Sequence, residues 1–275
     1  MEINLNGKKY GTSCIRLSSL KNEIYEKLLV PLEKQPETIW IVDGFQTDAD
    51  MELHEGINVS YITKGKFPPK DELETMMAAR HTPGLHKKLK DAHVAVAGLG
   101  GLGSNIAVML ARTGVGHLHL IDFDVVEPSN LNRQQYFISH LGMKKTEAMK
   151  QLLSQINPYI KVTTDDIKVD EGNCQSLFAS DEIICEAFDK ADAKTMLAET
   201  ILSGMPDKIL ISASGMAGYG DSNLIVTKEV GKNFFVCGDM VNGARPGMGL
   251  MAPRVTICAA HQANLVVRLI AEKNA

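Results

Sequence analysis

The sequence predicts an α/β protein in which a mostly parallel sheet carries helices on both faces, preceded by a small domain of strands with one helix. Two observations support this prediction. From residue 93 onward, short apolar runs alternate with segments of helical spacing, and repeated β-α-β units imply a parallel sheet with right-handed crossovers. Before residue 65 the order is strand, strand, helix, strand, strand, which fits a small β-grasp sheet with one helix across it.

The small domain begins with a predicted hairpin. Ile3 and Leu5 alternate with polar residues, and Ile15 and Leu17 do the same after a Gly-containing turn. A serine at position 18 or 19 can cap the helix that follows. The apolar stripe of that helix is Leu20, Ile24, Leu28 and Leu29.

Two further strands complete the small domain, and a connector follows it. Residues 38–42 (TIWIV) form a buried strand, and residues 57–62 form the last one. Pro68-Pro69 breaks the pattern, and Asp71 to Arg80 has helical spacing. We therefore predict a β-grasp domain at 1–65, a connector with a helix at 66–93, and a second domain at 94–275.

Apolar runs and helical spacing predict the elements of the second domain. Strands are predicted at 94–98, 117–122, 160–164, 182–186, 208–212, 224–227 and 234–237, and helices at 103–113, 144–156, 191–202 and 255–271. In the first of these helices Ile106, Ala107 and Leu110 face inward. This order predicts a Rossmann-like sheet with helices on both faces.

Composition and charge exclude several classes of function. The 275 residues include 29 Lys and Arg against 33 Asp and Glu, which gives a formal charge of -4. A mildly acidic chain is not expected to bind nucleic acid or an anionic membrane. No apolar run is long enough to span a bilayer, and the first residues lack the apolar core of a signal peptide. We expect a cytoplasmic protein.

A glycine-rich loop is the first sign of a ligand. Residues 98–103 (GLGGLG) follow a strand and open a helix, so Gly98, Gly100, Gly101 and Gly103 are expected to let phosphate oxygens approach backbone N–H groups. Asp122 ends the next strand, where a carboxylate can accept hydrogen bonds from ribose hydroxyls. The alternative is a glycine-rich turn without a ligand. The loop by itself does not separate NAD from ATP.

More specific motifs follow the glycine loop. They are DFDVVEPSNLNRQ at 122–134, GMKK at 142–145, and Asp189 in EAFDKAD. With these residues, the chain from about 70 to 275 resembles the ThiF/MoeB family, the bacterial relatives of ubiquitin-activating enzymes. Residues 1–65 resemble the β-grasp sulfur carrier of thiamine biosynthesis, fused at the N-terminus.

The resemblance implies a reaction and a role for each matching residue. The family adenylates the C-terminal Gly-Gly carboxylate of a small carrier protein, consuming ATP with Mg²⁺ and releasing pyrophosphate, and it works as a homodimer. By motif position, Arg133 and Lys145 would hold the phosphates, and Asn130 would hydrogen-bond a phosphate oxygen. Asp189 would hold Mg²⁺, and Asp122 would bind the ribose.

Three of these assignments have rivals in the sequence. Lys144 stands beside Lys145, which the motif spacing favours. Asp192 competes with Asp189, which could instead cap the helix that follows it. Arg80 matches by rough position an arginine that the family sends into the neighbouring subunit's ATP site, and its alternative is an arginine at a helix end.

The sequence also departs from the family in two ways. Many relatives hold structural zinc through two C-x-x-C pairs, and this chain has no such pair among Cys14, Cys174, Cys185, Cys237 and Cys258, so we expect no zinc. Cys237 is a candidate for a persulfide link, with a buried inert thiol as the alternative. The carrier-like domain runs on through residues 64–69 (KGKFPP) instead of ending in Gly-Gly, so the substrate is expected to be a separate carrier.

Several functions remain open from the sequence. The leading one is adenylation of the thiamine sulfur carrier, and the nearest alternative is a molybdopterin-type or other ubiquitin-like carrier. An NAD-dependent oxidoreductase would use the same glycine loop, and a carrier-binding scaffold would need no chemistry at all. The SNLNRQ segment at 129–134 and the position of Lys145 argue against both of these.

Overall fold

Residues 1–28 and 37–273 are described by the computed structural model, which divides the chain into two units, Met1–His86 and Lys87–Ala275. The segment predicted as a connector, 66–93, is shared between them. Leu29, predicted in the first helical stripe, lies outside the described residues. Within the described ranges, no helix is long and apolar enough to cross a membrane.

The first unit contains a five-stranded sheet in the order β2-β1-β5-β3-β4, with one helix packed against it. Its strands are β1 Glu2–Leu5, β2 Lys8–Gly11, β3 Thr38–Val42, β4 Phe45–Gln46 and β5 Asn58–Thr63, and its first helix is α1 Leu17–Lys27. β1 runs parallel to β5, and the other pairs are antiparallel. Ile3, Leu17, Leu20, Trp40 and Val59 form the centre of its core. The predicted β-grasp arrangement is confirmed.

The second strand of the first hairpin differs from the prediction. β2 occupies Lys8–Gly11, directly after a turn in which Asn6 and Gly7 both have positive φ, 46° and 78°. An Asn-Gly pair favours this tight hairpin turn. Ile15 is instead 71% exposed, and Leu17 is fully buried as the first residue of α1. The prediction of a strand at Ile15 and Leu17 was therefore wrong.

The start of α1 also differs from the prediction. The N-cap residue is Arg16, whose own side chain makes no capping hydrogen bond. Asp50 instead accepts a hydrogen bond from the Ser18 N–H, Oδ1 to N 2.9 Å. The carboxylate that satisfies an N–H group at the start of α1 thus comes from a distant loop, whereas a serine at 18 or 19 was expected to cap the helix.

A second helix, α2 Lys70–Ala78, packs within the first unit. Glu72 accepts a hydrogen bond from the Asn6 amide at 3.0 Å, and Asp71 pairs with Lys8 at 2.7 Å. A Cβ on Gly7 would lie only 2.6 Å from the Thr75 hydroxyl oxygen. These contacts tie residues after 65 to the first hairpin, which explains why the unit extends to His86.

The second unit is built on a seven-stranded sheet in the order β11-β12-β10-β9-β6-β7-β8. Its strands are β6 His93–Ala97, β7 His117–Ile121, β8 Lys161–Asp165, β9 Ile183–Glu186, β10 Ile209–Ala213, β11 Val226–Gly231 and β12 Phe234–Gly238. All neighbouring pairs are parallel except β11 with β12. The predicted mostly parallel sheet is confirmed.

Helices cover both faces of this sheet. They are α4 Gly101–Thr113, α5 Lys145–Ile156, α6 Glu171–Leu177, α7 Ala191–Gly204 and α8 Ala252–Glu272, and α3 Leu85–Lys90 precedes β6. On one face Phe178, Leu197 and Ile201 pack against the strands. α4 packs against α5 and α8. The sequence did not predict α3, α6 or the short strand β4.

The strand order reverses between β6 and β9. From β6 the chain passes to β7 and β8 on one side, then returns to β9 on the other side. In open α/β sheets the crevice at such a reversal, outside the carboxyl ends of the strands, is where ligands bind. The segments that leave β6, β7 and β9 here carry the glycine loop, Asp122 and Asp189.

Candidate functional site

The glycine loop is shaped by close backbone approaches. A Cβ on Gly98, whose φ is +93°, would lie 2.9 Å from the Ala187 carbonyl oxygen, and one on Gly103 would lie 1.8 Å from the Gly98 carbonyl oxygen. Both positions therefore exclude a side chain. A Cβ on Gly100 would meet no non-neighbouring atom closer than Gln134 Nε2, at 3.9 Å. The loop is thus tightly packed at its ends and open at its middle.

The open residue lies at the N-terminus of α4. Gly100 is the N-cap of this 13-residue helix and has no side chain with which to cap it. The first N–H groups of a helix lack partners within the helix, and the helix dipole makes this end positive. A Cβ on Gly101 would meet Val255 at 3.0 Å and Arg133 at 3.4 Å. This end of α4 is suited to an anion such as phosphate.

Asp122 ties the end of β7 to the glycine loop. Its Oδ2 accepts the Leu99 N–H at 2.6 Å, and its Oδ1 accepts the Asp124 N–H at 2.8 Å. The residue is only 8% exposed. The carboxylate therefore fixes the loop, and its contact with a ribose stays a prediction.

Lys145 is the buried cation of this site. It is the first residue of α5 and 6% exposed, and its Nζ lies 2.9 Å from Asp124 Oδ2 and 4.0 Å from Asp122 Oδ2. The Lys144 side chain is half exposed and pairs with Asp166 instead. The structure thus brings Lys145, and not Lys144, beside the carboxylate that holds the glycine loop.

Arg133 lies along the first turn of α4, and one of its buried donors is unused. Its Nη1 donates to the Ser129 carbonyl oxygen at 3.0 Å and to Asn132 Oδ1 at 2.8 Å. Its Nε is buried and has no hydrogen-bond partner among the described residues. A buried donor without an acceptor is costly, so a ligand acceptor at this N–H would lower the free energy of the site.

Asn130 shapes the turn that carries Arg133. Its side-chain oxygen accepts the Glu127 N–H at 3.1 Å, and its carbonyl oxygen accepts the N–H groups of Arg133 and Gln134 at 3.2 and 3.0 Å. The residue is 8% exposed. Its predicted contact with a phosphate is not tested by this geometry and stays a prediction.

Asp189 is an exposed carboxylate in the segment between β9 and α7. The N-cap of α7 is Lys190, so Asp189 does not occupy the capping position, and Asp192 lies exposed in the first helical turn. Within residues 1–28 and 37–273 no group of three or more metal-ligating side chains is present. A nucleotide-bound Mg²⁺ takes most of its ligands from phosphates and water, so a single carboxylate at Asp189 is compatible with it.

A buried ion pair, which the sequence did not reveal, holds the Asp189 segment. Glu186 at the end of β9 is fully buried, and its Oε1 accepts the Phe188 N–H at 2.6 Å. Lys194 Nζ lies 2.9 and 3.0 Å from its two carboxylate oxygens, and the Ser212 hydroxyl also bonds it. In the sequence, Glu186 only marks the end of an apolar strand. A lysine eight residues later carries no recognisable signal of pairing with it.

Arg80 lies in the first unit, just after α2. Its side chain is exposed, and its guanidinium donates to the Gln46 side chain on β4. Its predicted role in a neighbouring subunit's site stays a prediction.

The cysteines are free thiols throughout the described structure. Cys237 is buried in β12, and burial raises the pKa of its thiol. Burial also raises the pKa of Cys258, to about 12. A reactive cysteine needs a lowered pKa, so this environment favours the inert alternative for Cys237.

Comparisons with known families match both parts of the chain. Residues 74–275 match the model of the ThiF family, and residues 1–65 match a ThiS-like ubiquitin model. These matches agree with the resemblances drawn from the glycine loop, the SNLNRQ segment and the β-grasp pattern.

Curated relatives are identical to this chain at about a third of the aligned positions. The molybdopterin-synthase adenylyltransferase of Salmonella typhimurium is 31% identical over 196 residues, covering 66% of this chain and 74% of that protein. The adenylyltransferase and sulfurtransferase UBA4 of Eremothecium gossypii is 33% identical over 138 residues, covering 50% of this chain. The aligned part spans only 31% of that UBA4 protein.

Solved structures share the fold. The tRNA N6-threonylcarbamoyladenosine dehydratase TcdA of Escherichia coli, solved in complex with ATP, has a TM-score of 0.68 at 22% identity. The match covers 76% of this chain and 98% of that one. At this identity the likeness supports the architecture of the sheet and its helices.

Proposed function

The chain belongs to the ThiF family, and from that premise we propose that it adenylates the C-terminal Gly-Gly carboxylate of a separate ubiquitin-like sulfur carrier. ATP with Mg²⁺ is the co-substrate, and pyrophosphate is the product. The observation that carries the proposal is the juxtaposition at one strand reversal of an uncapped helix N-terminus and a buried lysine. An arginine with an unused buried N–H lies along the same helix turn.

The N-terminal end of α4 around Gly100 suits a triphosphate. The first N–H groups of α4 and the open face of Gly100 accommodate one phosphate. Arg133 adds the Nε–H that has no partner among the described residues. Lys145 adds a compact charge, and its present partner Asp124 is half exposed, so water can solvate that carboxylate when the lysine turns to a phosphate.

The chain's residues stabilise charge; they need not transfer a proton. A carboxylate oxygen of the carrier attacks the α-phosphorus of ATP, the new O–P bond forms, and the bond to the bridging oxygen breaks. The electron pair leaves with pyrophosphate, and the acyl-adenylate remains. Arg133 and Lys145 would place their own positive charges where negative charge grows on the phosphate oxygens. Fixed charges in this arrangement lower such barriers. Asp189 would hold the Mg²⁺, which supplies further positive charge to the phosphates.

Two carriers are candidates. The ThiS-like match of residues 1–65 favours the sulfur carrier of thiamine thiazole synthesis. The identity to a molybdopterin-synthase adenylyltransferase favours a molybdopterin-type carrier as the second candidate. The fused domain itself is not the substrate, since its last strand continues into Lys64 and on to α2 and offers no free carboxylate.

Pyrophosphate exchange with purified carriers tests the proposal. Labelled pyrophosphate should enter ATP only when a carrier with a free Gly-Gly terminus is present, and fastest with the thiamine carrier. A carrier lacking its last glycine is the matched control and should support no exchange. Exchange with neither carrier would contradict the activity, and faster exchange with the molybdopterin-type carrier would replace the first candidate by the second. Calorimetric titration should also show tighter binding of ATP than of NAD.

Assembly and location complete the proposal. We infer a homodimer, because the predicted reach of Arg80 into another site requires a second copy, and a two-fold interface would create two equivalent sites. We also infer a cytoplasmic enzyme that binds neither nucleic acid nor membrane, in keeping with the formal charge of -4. Light scattering of the purified chain measures the first point directly.

A further inference from the structure

Gln134 is a buried polar side chain beside the candidate phosphate site. It follows Arg133 in the chain and is 8% exposed. Its Oε1 is buried and has no hydrogen-bond partner among the residues that the structure describes. Its Nε2 would lie 3.9 Å from a Cβ built on Gly100. The amide thus lies over the one open glycine of the loop.

The backbone around Gln134 is fixed to the first turns of α4. The Gln135 N–H donates to Ser104 Oγ at 3.2 Å. Asn105 Nδ2 donates to the carbonyl oxygens of Arg133 at 3.2 Å and Gly101 at 2.7 Å. Gln134 is therefore held in a set position relative to the helix N-terminus.

A buried amide oxygen without a donor is destabilising, and native proteins retain few of them. Gln135, the next residue, contrasts with it, because its Nε2 donates to Asn105 Oδ1 at 2.7 Å. The preceding residue, Arg133, also has a buried Nε–H without a partner among the described residues, and its Cγ would lie 3.4 Å from a Cβ built on Gly101. Two adjacent side chains with unmet hydrogen bonds point to a ligand that meets both.

We propose that Gln134 is a substrate-contact residue of the nucleotide site, a role that rests on the proposed function. Its amide nitrogen donates to a phosphate oxygen above Gly100, and its Oε1 accepts a hydrogen bond from an O–H donor of the bound nucleotide. That donor is either a ribose hydroxyl or a water on the nucleotide's Mg²⁺, and both offer the same chemistry to a carbonyl oxygen. The residue therefore adds selectivity for the nucleotide with its Mg²⁺ over a bare anion.

Gln134→Met tests the inference, with Gln262→Met as the matched control. Gln262 on α8 is fully buried, and its Oε1 and Nε2 have no partner among the described residues. Methionine keeps the volume and removes the unmet polar atoms. Both variants should therefore raise the melting temperature. Only Gln134→Met should weaken ATP·Mg²⁺ binding, by about tenfold for the loss of one to two hydrogen bonds.

Inorganic tripolyphosphate and 2′,3′-dideoxy ATP, each titrated with and without Mg²⁺, identify the partner of Oε1. If it is a ribose hydroxyl, Gln134→Met should weaken ATP more than dideoxy ATP. If it is a metal-bound water, Gln134→Met should weaken tripolyphosphate more when Mg²⁺ is present than when it is absent, since only the loss of the amide donor remains without the metal. Wild-type affinity for ATP in Gln134→Met, together with a melting temperature raised as in Gln262→Met, would overturn the inference. Failure of the unmodified chain to bind ATP would contradict the proposed function instead.

Discussion

Replacing Lys145 by Met should remove the main fixed cation of the site while nearly keeping the side chain's length and volume. The Lys145 side chain is only 7% exposed and its Nζ lies 4.0 Å from Asp122 Oδ2. At that separation two unit charges interact by about 4 kcal/mol at an effective dielectric constant of 20. A phosphate held at a similar distance gains stabilisation of this order. Since about 1.4 kcal/mol is a factor of ten, we expect adenylation to fall by about 10² to 10³-fold.

Carrier-dependent pyrophosphate exchange measures this loss, and Lys144→Met is its control. Lys144 is the neighbouring residue of the same type, but its side chain is half exposed and pairs with Asp166. An exposed pair contributes about 0 to 1 kcal/mol, so this variant should exchange at nearly the wild-type rate. Equal losses in the two variants, or no loss in Lys145→Met with its fold intact, would refute the assignment of Lys145 to the phosphates.

Four further predictions concern the metal, the subunits and pH. Asp189→Asn should raise the Mg²⁺ concentration needed for half-maximal exchange, and an unchanged requirement would remove Asp189 from the metal. Elemental analysis should find no stoichiometric zinc after dialysis. Mixing Arg80→Ala with Lys145→Met chains should restore about one working site per heterodimer if the arginine acts in trans, whereas no recovery would indicate action in cis. Burial opposes protonation of His119, but its hydrogen bonds to the carboxylates of Asp181 and Asp165 raise its pKa above the usual 6.5. The stabilisation from protonated His119 should therefore be fully present below pH 6.5 and be lost as pH rises through the raised pKa. In denaturant titrations across pH, His119→Gln should abolish this pH dependence of the free energy of unfolding.

The sequence predicted the local geometry of the glycine loop and singled out the buried one of two neighbouring lysines. The glycine loop follows from backbone sterics alone, because a Cβ at Gly98 or Gly103 would collide with a carbonyl oxygen. Lys145 was separable from Lys144 by spacing, and the structure buries the first and exposes the second. The parallel sheet followed from the alternation of strands and helices.

The parts that the sequence did not predict depend on distant partners. β2, with the sequence KKYG, has no alternating pattern, and its pairing with β1 is set by the turn at Asn6 and Gly7. Glu186 meets Lys194 and Ser212 only because β9, α7 and β10 come together in the folded unit. Such contacts leave no mark on local hydrophobic spacing.

The intact mass of the carrier after incubation with the chain, ATP and Mg²⁺ tests most directly whether this protein activates a separate Gly-Gly carboxylate. Before any sulfur donor is added, the carrier should gain the mass of one AMP at its C-terminus. Hydroxylamine should release this AMP from the carrier, as expected of an acyl-adenylate. A carrier lacking its last glycine should gain nothing. An unmodified carrier alongside active ATP binding, or an AMP adduct on the chain's own residues 1–65, would contradict the proposed reaction.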